Sequence, residues 1–201
     1  MTLTHLLGRY LDPDAGSVTL GGKPLRELPL DWVRSRVAIV PREPHLLPGS
    51  NCENLTLGHT ECTEQELVQA AEVARVHDRI MALPNGYETR LQECGADLSA
   101  GEKQRLTLAR AFLREATIIV MDEATSAIDA QLEDEIFTTF RERFADTTWI
   151  IIAHRLSTIM EADRILVLAD GRIVEQGDHT NLINEGRVYP TLIASQLAVG
   201  G

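Results

Sequence analysis

The segment TIIVMDEATSAID at residues 117–129 limits the possible folds of this chain more than any other stretch. Four apolar residues, Ile118, Ile119, Val120 and Met121, run without the polar alternation of a half-exposed strand and end in Asp122 and Glu123. An unbroken apolar run of this length, closed by polar residues, is the pattern of a parallel strand covered on both faces. Open α/β sheets bind ligands beyond the carboxyl ends of such strands. The two carboxylates are therefore delivered where chemistry is done. A strand-end acidic pair can also serve only to start the next helix, where its charge meets the positive dipole end.

The rest of the chain supports an α/β reading. SVTLGG at 17–22 reads as a strand and turn, and the helical DWVRSR leads into a strand at 37–40. Residues 56–115 carry helical periodicity, with Thr63 and Glu66 spaced as a capping box. We read that stretch as a separate helical lobe. The α/β alternation resumes with a strand at 118–121, a helix at 131–144, and strands at 149–153 and 165–169. After the Asp170-Gly171 turn comes IVEQG.

Composition narrows the function classes. With 201 residues and 44% hydrophobic content the chain can bury a sizeable core. A net charge of −11 argues against nonspecific binding to nucleic acid or to an anionic membrane surface. Cys52, Cys62 and Cys94 lack C-x-x-C spacing, so they suggest unpaired thiols rather than zinc or a disulfide framework. No apolar run approaches the ~18 residues that span a bilayer, and no signal-peptide pattern opens the sequence. Membrane contact is expected through a partner.

Two further motifs flank the acidic strand: LSAGEKQRLTLARA at 98–111 and IIIAHRLSTI at 150–159. Small residues at a helix start let backbone amides approach an anion, although Ser99 with Glu102 would also serve as an ordinary helix cap. A histidine at a strand end, His154, is by itself unremarkable. Taken together, the order and spacing of these motifs resemble an ATP-binding-cassette (ABC) ATPase of the exporter type over nearly the whole chain. The resemblance implies a P-loop NTPase (RecA-like) α/β core from 1–55 and 116–201, with an inserted α-helical signature subdomain at 56–115. It also implies ATP and Mg²⁺ as cofactors. Asp122 would serve the metal, Glu123 the attacking water, and His154 the γ-phosphate. Ser99, Gly101 and Glu102 would face a nucleotide held by a second nucleotide-binding domain, and Ser126, Ala127 and Asp129 would form the loop that crosses that dimer. Glu93 would sense a transmembrane partner. The implied location is the cytoplasmic face of a membrane, through that partner.

The sequence departs from the family pattern in three places. It contains no G-x-x-x-x-G-K-[ST] motif. MTLTHLLGRY resembles the helix that follows that motif, with Thr2 at the nucleotide-binding threonine, so the first strands and the P-loop are expected to be missing. The chain alone is then expected to turn over ATP negligibly, and apolar surface should be uncovered on strands 37–40 or 118–121. Ala100 stands where a glycine pair would begin. In VAIVPREPHLLPGS, Arg42 takes a position the family fills with glutamine. A guanidinium has five donors and no acceptor, so Arg42 cannot ligate a metal; a phosphate contact and a surface arginine both stay open. Two alternatives to a hydrolysing exporter subunit remain: a non-catalytic partner that donates its signature motif, and an ABC ATPase outside transport.

Overall fold

A computed structural model describes residues 2–57, 62–92, 95–153 and 155–199, with side chains through residue 195. It divides into two compact units, Met1–Ile151 and Ile152–Gly201. The first opens with α1 (Thr2–Leu7), the short strands β1 (Thr19–Leu20) and β2 (Lys23–Pro24), and α2 (Leu30–Arg36) running directly into β3 (Val37–Val40). Then come β4 (Gly49–Ser50) and the helices α3 (Asn51–Leu55), α4 (Glu64–Val73) and α5 (His77–Met81). These are followed by β5 (Arg90–Leu91), α6 (Ala100–Leu113), β6 (Ile118–Asp122), α7 (Ala130–Arg143) and β7 (Thr148–Ile152).

The central sheet runs β3-β6-β7, and β3 pairs with β6 in parallel, Val37 beside Ile118 through Val40 beside Met121. Strand residues alternate between faces, and the two cores follow that alternation. Ala38, Val40, Ile119, Met121, Trp149 and Ile151 join one cluster with Leu106, Leu108 and Phe112 of α6 and Ile136, Phe137 and Phe140 of α7. Val37, Ile39, Ile118, Val120 and Ile150 join the other, with Leu7, Leu25 and Val33. Helices thus cover both sheet faces, as the unbroken apolar run of β6 requires. Thr63 and Glu66 form the capping box read from the sequence, with the Thr63 amide donating to Glu66 Oε2 over 2.7 Å. The helices within 56–115 belong to the same core cluster as the sheet, which includes Leu67, Ala71 and Ile80 along with Val40 and Met121.

Of the two strands expected to be uncovered, 118–121 has no open edge, because β3 and β7 flank it, whereas 37–40 is the end strand of the sheet among the described residues. The apolar β7 lies on the outside of the sheet, with no residue fully buried despite its TWIII sequence.

The second unit holds α8 (Leu156–Met160), β8 (Ile165–Ala169), β9 (Arg172–Gly177), α9 (His179–Glu185) and α10 (Val188–Val199). Strands β8 and β9 form an antiparallel ribbon whose turn puts Asp170 at φ 48° and Gly171 at φ 73°. These are the two positive φ values that a tight hairpin demands. Val167, Leu182, Tyr189 and Ile193 make its small core. Across the ribbon Leu168 faces Ile173, and both are about half exposed, as is Leu166.

The first turn of α10 is held by Glu175, whose carboxylate accepts from the backbone amides of Val188 (2.8 Å), Arg187 (2.6 Å) and Tyr189 (2.9 Å). Those bonds hold its pKa below the usual glutamate range. A carboxyl stronger in the fold than in the open chain contributes stability above its ordinary pKa and loses it as pH falls through the lower folded value. Wild type is therefore expected to melt above Glu175→Gln near neutral pH, with the gap closing on acidification below ~4.5. A gap unchanged by pH would contradict this role for Glu175.

Candidate functional site

Strand β6 ends at the half-buried Asp122, and the next residue, Glu123, turns the chain with φ 51°. A non-glycine residue in the left-handed region is uncommon and carries strain, which tends to collect at functional sites. The strained backbone aims the Glu123 carboxylate past the sheet edge, where its side chain is only 14% exposed. The chain then closes two turns, with the Ser126 amide bonding Glu123 O (3.2 Å) and the Ile128 amide bonding Thr125 O (3.0 Å). Asp129 starts α7 by accepting from the Leu132 amide over 3.0 Å. Thr125 Oγ1 donates to the buried Glu133 over 2.8 Å, fastening the turn to α7.

The start of α6 packs against this turn. Ser99 Oγ accepts from the Glu102 amide (3.3 Å) while the Ser99 amide donates to Glu102 Oε2 (2.7 Å), a complete capping box. Glu102 Oε1 accepts from Arg79 Nε at 2.7 Å. Burial pushes the Glu102 carboxyl up, but the Ser99 and Arg79 bonds outweigh it, and the net shift is downward. Both Glu102 oxygens are thus engaged in building the helix start. Gly101 is required by a close approach: a Cβ there would lie 2.7 Å from Ala127 O.

Gln104, which the sequence reading passed over, joins the pieces. Its Oε1 accepts from the Ala127 amide (2.8 Å), and its Nε2 donates to Ser126 Oγ (3.1 Å) and to Arg42 O (3.4 Å). A nearly fully buried amide with both ends bonded fixes its neighbours tightly, because an orphaned donor there costs ~1–3 kcal/mol. One signal was available: Gln104 is polar yet shares a helical stripe with Leu108 and Ala111, both buried. Arg110 was also missed. It bonds Asn54 O (2.7 Å) and His45 O (3.1 Å), and burial lowers its pKa. The Asn54 amide pairs with both backbone groups of Leu47 at 2.9 Å, fixing the segment after Arg42.

The Arg42 side chain is largely exposed, and its Nη1 lies 2.8 Å from Glu123 Oε2. The pairing bears on the expected metal. Among the described residues no group of three or more His, Cys, Asp or Glu side chains could hold an ion. Glu123 faces the Arg42 guanidinium, which repels a cation and offers no acceptor. As arranged, Glu123 does not fit a Mg²⁺ ligand, and since Mg²⁺ is commonly held through one or two carboxylates and substrate phosphates, Asp122 stays the residue that would hold it. Thr2 lies exposed at the start of α1, and His154 and Glu93 fall outside the described residues.

Residues 1–126 match the family described as ABC transporter. The chain belongs to the ABC transporter family. It is 42% identical over 197 residues to ABC transporter B family member 4 of Dictyostelium discoideum, covering 98% of this chain and 26% of that protein. It is 40% identical to the ATP-dependent lipid A-core flippase of Chromobacterium violaceum, covering 98% of this chain and 34% of the flippase. A solved structure of a bacterial Atm1-family ABC exporter with ATP bound superposes with a TM-score of 0.93 at 37% identity, over 97% of this chain and 34% of that one. The chain thus spans about a quarter to a third of these relatives. No described helix of this ABC family member is long and apolar enough to cross a membrane.

Proposed function

We propose that this chain is an ATP-binding, ATP-hydrolysing portion of an exporter-type ABC transporter that drives substrate movement through a transmembrane partner. One observation supports the reading above others. The start of α6 and the 126–127 turn are latched together through Gly101 and Gln104, directly beside the Asp122–Glu123 strand end. Such a latch presents Ser99, Gly101 and the turn as one rigid edge, suited to an anion held by a second nucleotide-binding domain. Glu123 is the proposed base for water, and His154 and Asp129 complete the proposed set. Residues 56–115 are the proposed signature subdomain, and Glu93 the proposed contact to the membrane partner, which would place the chain on the membrane's cytoplasmic face.

The test is coupling in vesicles that hold the complete transporter. Ser99→Arg puts a bulky cation on the proposed edge and is expected to abolish ATP hydrolysis and substrate movement together. Movement that continues undiminished in that variant would contradict the proposal.

A further inference from the structure

The register of β3 against β6 sets Val40 beside Met121, so the chain two residues on from each member of that pair carries Arg42 and Glu123 out of the same sheet edge side by side. Their side chains meet at 2.8 Å, the distance of a charge-assisted hydrogen bond. Both partners are held. Glu123 is fixed by its left-handed backbone and low exposure, and the Arg42 carbonyl is tied to Gln104. The Arg42 side chain is 65% exposed whereas that of Glu123 is 14% exposed, so the arginine is the solvent-side partner of the pair.

From this geometry we infer that Arg42 is a built-in blocker of Glu123. The inference rests on the proposed role of Glu123 as the base for water. A carboxylate that activates water must present an oxygen to it and accept its proton. Here one of the two carboxylate oxygens, Oε2, already accepts from Arg42, and a guanidinium has no acceptor with which to take the proton in its place. Oε2 is open to water only once the Arg42 bond is exchanged, and phosphate oxygens, which a guanidinium binds through the same fork, are the chemical class able to draw it off. Glutamine, neutral and able to accept, would impose no such block.

Carbodiimide-driven coupling of an amine to carboxylates, mapped by mass spectrometry on the full chain without nucleotide, tests this. Glu123 in Arg42→Gln is expected to label roughly two- to fivefold faster than in wild type, the range open to an ion pair with one exposed partner. Other carboxylates such as Glu72 and Glu161 should be unchanged, and Arg42→Lys, which keeps a charge but not the fork, should fall between. Equal labelling of Glu123 in wild type and Arg42→Gln overturns the proposal. If Arg42→Gln loosens the whole fold, the reciprocal measurement decides: phenylglyoxal labelling of Arg42 accelerates in Glu123→Gln if the block exists and stays at the wild-type rate if it does not. Neither labelling involves ATP, so their outcome is separate from the ATPase reading, which turnover of Glu123→Gln addresses.

Discussion

In the assembled transporter, Glu123→Gln is expected to lower ATP turnover by roughly 10²–10⁴ while leaving nucleotide binding in place, the usual cost of removing a positioned base. Glutamine keeps the shape of the side chain but cannot accept a proton from water, so the loss should fall on the chemical step. Position favours a large effect. The residue sits at φ 51° at the end of a buried strand, with its side chain only 14% exposed beside Arg42. Steady-state turnover with a parallel binding measurement checks it. Turnover within a factor of about two of wild type would remove Glu123 from the role of base.

The second large effect is on stability. Phe140 is fully buried where α7 meets the sheet, with ring centroids 3.9 Å from Phe112, 4.4 Å from Phe144 and 3.9 Å from Trp149. Phe140→Ala removes the ring common to three aromatic pairs that join α6, α7 and β7, so neighbours cannot collapse into the space without shifting the backbone. A loss of ~3–5 kcal/mol is expected, lowering the melting temperature by roughly 10 °C for a chain of this size. A shift of only a degree or two in calorimetry would mean that the cluster repacks and does not organise the first unit.

The sequence carried the sheet because its signals there are local. The run Ile118–Met121, the helix-to-strand change at 36–37 and the Asp170-Gly171 turn each follow from periodicity or turn chemistry within a few residues. The capping boxes at Thr63 and Ser99 were readable for the same reason. What the sequence could not supply was pairing at a distance. Arg42 and Glu123 lie 81 positions apart, and only the β3–β6 register brings them to one edge. Gln104 likewise looks like one polar residue among several in GEKQR until the 126–127 turn folds onto it. The strand 118–121 looked open because an upstream strand was expected against it, whereas β7 covers that side.

If Ser99, Gly101 and the latched 126–127 turn form an edge that completes a nucleotide site on another domain, sedimentation of the chain with a P-loop-bearing ABC ATP-binding domain, with and without ATP, will reveal it. A heterodimer is expected that appears only with ATP and is lost in Ser99→Arg. Association indifferent to ATP, or undiminished by Ser99→Arg, would contradict it.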